Sequence, residues 1–144
     1  MGNSINISIL IPLVPMGMAL FILILLVSFN RTINRLTKPV SFLTVFSILS
    51  SALISAFLYF NKVEGDVYFS NYLKLFESTN LVLHLNSLTE KIEIFFSIIM
   101  AIVIGLLFYK LPRQKGYVSL IIGISLISSS IMFAVMFLDF SVLI

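Results

Sequence analysis

Residues 92–138 read IEIFFSIIMAIVIGLLFYKLPRQKGYVSLIIGISLISSSIMFAVMFL: two long apolar runs joined by the basic turn Lys110-Leu111-Pro112-Arg113-Gln114-Lys115-Gly116. Each run can cross a hydrocarbon core of about 30 Å at about 1.5 Å per residue, and so short a turn forces an antiparallel pair. The same arrangement lies upstream, where runs from Ile7 to Phe29 and from Pro39 to Phe60 are separated by Arg31, Arg35 and Lys38. Neither basic gap contains an acid. All six acidic residues lie on the other side of the implied topology. Glu64, Asp66, Glu77, Glu90 and Glu93, with only Lys62, Lys74 and Lys91, occupy the stretch between the second and third runs or its helix edge, and Asp139 lies near the end of the fourth. The positive-inside rule then predicts that both basic loops face the cytoplasm and both termini face the opposite compartment. The expected fold is all-α and integral to a membrane. One domain, 1–144, has four transmembrane helices at about 7–29, 39–60, 92–109 and 117–138, with an outer connection at about 61–91.

Composition leads to the same conclusion. With 60% apolar residues, 10% charged and neither tryptophan nor cysteine, the chain has too little polar surface to cover a soluble domain of 144 residues. The lipid bilayer is its expected partner. The net charge of +3 does not point to nucleic acid, because the excess positive charge sits beside hydrophobic runs, where it orients helices. Absence of cysteine excludes disulfides, thiolate metal sites and cysteine nucleophiles. The first run does not read as a cleavable signal: no Lys or Arg precedes it, its apolar core is too long and no A-x-A site follows.

Small residues mark faces on which helices can approach. In run two, Ser47, Ser51 and Ser55 recur every fourth residue, with Ala52 and Ala56 beside them. Run four carries Ser119 and Gly123, then Ser125 and Ser129, each pair again four apart. These faces predict a tightly packed bundle or helices covered by a neighbouring subunit. Pro12 and Pro15 fall in the first turns of run one, and Pro39 opens run two, positions where a missing amide costs least. In the outer connection, Val67-Tyr68-Phe69 and Leu81-Val82-Leu83-His84-Leu85 have strand-like composition and predict a short hairpin on the membrane face.

Few residues could carry chemistry. Glu93 lies one turn into run three, with Ser97 a turn further on the same face. Two readings are open: a proton-exchanging carboxylate at the mouth of a pathway, or an interfacial acid favoured by the helix dipole and partly neutralised by Lys91 or solvent. Asp139 is either a second intramembrane acid or the point where run four emerges, and the full length of that run without it favours emergence. His84 is the single histidine, which excludes paired-histidine metal sites and any serine triad; it is expected to be a hydrogen-bonded structural residue. No catalytic constellation and no cofactor or metal site is expected.

Four features, taken in order, carry a family resemblance. Ile11-Pro12-Leu13-Val14-Pro15 opens the first helix, and the strand-like stretch runs into Leu85-Asn86-Ser87-Leu88-Thr89. Helix three exits through Phe108-Tyr109 towards Gly116-Tyr117, and Leu138-Asp139-Phe140 follows helix four. This order resembles the beginning of chain 5, the large antiporter-like membrane subunit of proton-pumping NADH:quinone oxidoreductases (complex I) and of their plastoquinone-reducing relatives, a module shared with multi-subunit cation/proton antiporters. The family has I-P-L-x-P, L-x-D-x-L-[ST], an aromatic-Tyr exit with a later G-Y, and L-x-D-N at the corresponding places. Asn86 stands where the family has Asp, Val118-Ser119 replace its Arg-Phe, and Phe140 replaces its Asn. The family's acidic W-E element and its later proton-transfer lysines would lie beyond Ile144. The resemblance therefore implies a membrane subunit or truncated N-terminal fragment that packs against other subunits and holds no complete proton path, in a cytoplasmic or thylakoid membrane. An independent small transporter with Glu93 as its coupling acid, and a structural or assembly protein, are the competing expectations.

Overall fold

The computed structural model describes residues 6–33, 35–68, 82–111 and 116–138. A 3-10 turn at Ile7–Ile9 leads into α1 (Leu10–Ser28), followed by the short α2 (Asn30–Ile33) and then α3 (Thr37–Phe60). Strands β1 (Gly65–Tyr68) and β2 (Val82–Leu85) precede α4 (Ser87–Lys110) and α5 (Tyr117–Phe137). Four of these helical segments, Ile7–Ser28, Thr37–Phe60, Ser87–Lys110 and Tyr117–Phe137, are long and apolar enough to cross a membrane. The protein is an all-α, multi-pass integral membrane protein with a small antiparallel hairpin.

Local sequence explains the boundaries. Pro39 sits in the first turn of α3, where its missing N–H leaves no acceptor unserved, so the helix begins at Thr37. The third span starts at Ser87, five residues before the apolar run at Ile92, because Asn86 caps it. The Asn86 Oδ1 accepts hydrogen bonds from the Thr89 amide at 2.8 Å and the Thr89 hydroxyl at 3.0 Å, serving one of the amides that a helix start orphans. Glu90, Lys91 and Glu93 thus belong to the helix and not to the connection. Gly116 takes a positive φ of 84° immediately before α5, the left-handed conformation that glycine adopts without steric cost.

Pro15 lies inside α1, so the Ile11 carbonyl has no amide donor four residues on. The Ser51 hydroxyl of α3 supplies one, donating to Ile11 O at 2.6 Å. One turn along α1, the Pro15 carbonyl accepts from Ser125 of α5 at 3.2 Å. Serines of two helices thereby clasp the proline-bearing segment of a third. In an apolar surrounding such bonds have little competition from water.

Helix α3 is central, packing against both α1 and α4, while α1 also packs along α5. The α4–α5 contact is much smaller, leaving α4 at the edge of the bundle. At the end carrying the basic turns, Ile22, Val40, Ile48, Ile104, Val118, Ile121 and Ile122 form an apolar core. At the opposite end the hairpin covers the bundle, its Val67, Leu83 and Leu85 joining Ile9, Ile11, Leu58 and Met136 in a second cluster. The register pairs Asp66 with His84, and the His84 Nδ1 lies 2.8 Å from Asp66 Oδ1 on the exposed side of the sheet. Phe21, Phe42, Phe46, Leu53, Phe95 and Ile127 point outward, the surface a bilayer would solvate.

Candidate functional site

The cap at Asn86 sets the phase of α4, and its inward stripe is Glu90, Glu93, Ser97, Ala101 and Ile104. Both acids are therefore turned into the protein. Glu93 is 1% exposed, and neither carboxylate oxygen has a hydrogen-bond partner among the described residues. Glu90 is equally buried, with its Oε1 unpartnered. Lys91 does not neutralise this pair: its ammonium lies 5.4 Å from the centre of the Tyr59 ring, a cation–π contact on the exposed flank of the helix. Glu93 is thus an enclosed acid, not one bathed by solvent at the interface.

Two hydroxyls share this condition. Buried serines elsewhere donate to a helix carbonyl, as Ser47 does to Thr44, Ser128 to Ile124 and Ser129 to Leu126. Ser55 and Ser97, both 0% exposed, have no partner among the described residues. Residues lining common cavities fix the antiparallel level of α3 against α4. Tyr59 and Phe60 share one with Ser87 and Glu90, and Ser41 and Phe42 share another with Gly105 and Phe108. By that register Ser55, about one turn from the first cavity, falls level with Glu93. The first of the two cavities, about 370 Å³, is lined also by Lys62 and Glu64, and Glu90 brings it to within a turn of Glu93.

The remaining residues singled out from sequence separate cleanly. Ser47, Ser51 and Ser55 all face inward, as their spacing predicts, with Ser51 bonded to α1. In α5 the inward pair is Ser125 and Ser129; Ser119 is exposed, and a Cβ added at Gly123 would meet nothing within 4 Å, so neither makes a close helix contact within the chain. The two pairs are offset by six residues, which on a helix of 3.6 residues per turn rotates them roughly 120° apart, so they cannot share a face. Asp139 lies outside the described residues. His84 is engaged with Asp66, and Tyr117 is buried with its hydroxyl 2.7 Å from Ser41 Oγ.

Among the described residues the site offers carboxylate and hydroxyl oxygens, groups that can accept a proton or a hydrogen bond. Among the described residues no group of three or more His, Asp or Glu is arranged to hold a metal ion. The sequence singles out Glu93 and Ser97 by their four-residue spacing and Ser55 as a packing residue, and all three are buried in the structure. Ser51 bonds to the Ile11 and Ser47 carbonyls, whereas the Ser55 hydroxyl bonds to no described residue. No protein-family model, curated protein or solved structure matches the chain.

Proposed function

We propose that the chain is a membrane subunit, or the N-terminal part of one, of a complex I-like or antiporter-like proton-translocating assembly, contributing helix packing and only part of a proton route. The observation that carries this reading is the asymmetry of the bundle. Enclosed acids, Glu90 and Glu93, stand at the hairpin end above a core made of Ile48, Ile104, Ile121 and Ile122. A transfer route needs ionisable or hydrated groups through the full hydrocarbon thickness, and below Ser97 the inward stripe of α4 continues as Ala101 and Ile104. Further helices would have to complete it. The order of motifs from Ile11 to Asp139 supports the same reading.

Proteoliposomes containing only this chain, loaded with a pH dye and given a proton gradient, are expected to leak no faster than empty liposomes, and the chain is expected to co-purify with larger antiporter-like subunits. The enclosure of Glu93 favours a second reading, an independent transporter. A leak abolished by Glu93→Gln would establish that reading and overturn the first.

The charge distribution supports an orientation with the basic end in the cytoplasm and both termini on the other side. In intact cells a cysteine at Asn61 is expected to react with an impermeant thiol reagent and one at Leu36 to be protected. The reverse pattern would invert the topology.

A further inference from the structure

The cavity of about 370 Å³ at the hairpin end lies where one span finishes, at Phe60, and the next begins, at Ser87, which is the depth of phospholipid headgroups. Its wall carries charges of both signs, since Lys62, Glu64 and Glu90 line it beside Tyr59, Phe60 and Ser87. None of the three charged groups forms an ion pair among the described residues, and Lys91, held over the Tyr59 ring, pairs with neither acid. Glu64 is near enough to act on Glu90 as a like charge. Glu90 is itself 1% exposed with its Oε1 unpartnered among the described residues, an independent sign that the wall awaits an occupant. The backbone presents Lys62 here under strain. Lys62 takes a φ of 50° at the end of α3, where its amide donates to the Tyr59 carbonyl at 3.1 Å and the Val63 amide to the Leu58 carbonyl at 3.2 Å. Glycine closes such a helix end with less strain, so what lysine contributes is its ammonium.

We propose that this cavity binds the headgroup of a zwitterionic phospholipid with a primary amine, phosphatidylethanolamine, its phosphate at Lys62 and Ser87 and its ammonium at Glu64 and Glu90. Ser87 opens α4, whose unbonded first amides and positive dipole end favour a phosphate. A primary ammonium brings several N–H donors to the two carboxylates, whereas the quaternary amine of phosphatidylcholine brings none. A ligand carrying only one sign of charge would leave either Lys62 or the acids unserved. The bilayer is the source, because Phe60, 81% exposed, lines the cavity and begins an outward stripe with Phe57 and Leu53, three and four residues apart along α3, on which an acyl chain can lie. The site requires no proton route and does not depend on the subunit reading.

The full chain in detergent micelles is titrated with dioleoylphosphatidylethanolamine or dioleoylphosphatidylcholine, and bound lipid is counted by native mass spectrometry. Saturable retention of the ethanolamine lipid is expected, with about tenfold weaker retention of the choline lipid, the loss of a hydrogen bond to a charged group. Lys62→Gly should abolish that preference while leaving the melting temperature unchanged or raised, which separates the site from the fold. Glu64→Gln and Glu90→Gln should abolish it as well. Glu64 is exposed, so its variant keeps the test open should Glu90→Gln fail to fold. Equal retention of the two lipids, or a preference indifferent to Lys62 and Glu64, would overturn the site and leave only ordinary annular lipid. Displacement by soluble phosphoethanolamine at the same concentration as the lipid would identify a soluble amine as the ligand and overturn the bilayer source.

Discussion

The two ends of the α3–α4 pair treat buried polarity in opposite ways. At the basic end, Ser41 donates to the Thr37 carbonyl at 2.8 Å and its oxygen lies 2.7 Å from the Tyr117 hydroxyl, a closed chain of bonds that ties α5 to α3. At the hairpin end, Ser55, Glu90, Glu93 and Ser97 are equally enclosed yet retain atoms with no partner among the described residues. The first arrangement holds helices together. The second stores polar capacity that the fold itself does not use. Hydroxyls of one residue type thus tie helices together in one place and make no bond to a described residue in another.

The largest effect should come from the apolar core near the basic end. Ile121 is 0% exposed, and Ile121→Ala is expected to lower stability by about 2–5 kcal/mol, through lost contacts and the cavity left behind. Denaturant titration in mixed micelles measures this. If Ile121→Ala proved no more damaging than Ser55→Ala, the division between a structural end and an open end would fail.

A smaller effect separates two serines of one stripe. Ser51→Ala removes the donor to the Ile11 carbonyl and is expected to cost roughly 1–2 kcal/mol, whereas Ser55→Ala, which breaks no bond made within the described residues, should be near neutral. The loss should shrink when Pro15→Ala restores the α1 amide that would otherwise serve Ile11. A double-mutant cycle in the same micelles checks the coupling. Additive losses would show that Ser51 does not compensate for the proline.

The smallest effect is expected on the outward face of α5. Gly123→Ala meets open space and should change stability within about 0.5 kcal/mol, as should Ser119→Ala. A larger loss measured for the chain alone would mean that this face packs more closely than the fold places it. A loss seen only in a co-purified complex would identify the face as a subunit contact.

The span count was readable because each apolar run is long and bounded by charge, a signal that needs no knowledge of neighbours. The hairpin was readable from the alternation at Val82 to Leu85, which the fold turns into buried Leu83 and Leu85. The start of α4 was not, since hydropathy counts Glu90 and Lys91 as boundary residues, while the Asn86 cap draws them into the helix. Of the candidate site, Glu93 and Ser97 were visible as a pair on one helix. That Ser55 bonds to no described residue was not visible, because it depends on how α3 packs in the bundle.

By itself the sequence determined that this is a membrane protein of four apolar spans with a small hairpin, because those features follow from run length, charge placement and strand-like alternation. Only the tertiary structure decided which faces turn inward. In helices that are apolar all round, no amphipathic stripe distinguishes a core face from a lipid face, so the Ser119–Gly123 and Ser125–Ser129 pairs looked equivalent. The distinction arises where backbones meet. Ser125 reaches the Pro15 carbonyl, Ser51 reaches the Ile11 carbonyl, and Glu93 and Ser55 are enclosed where no described residue partners their side-chain oxygens.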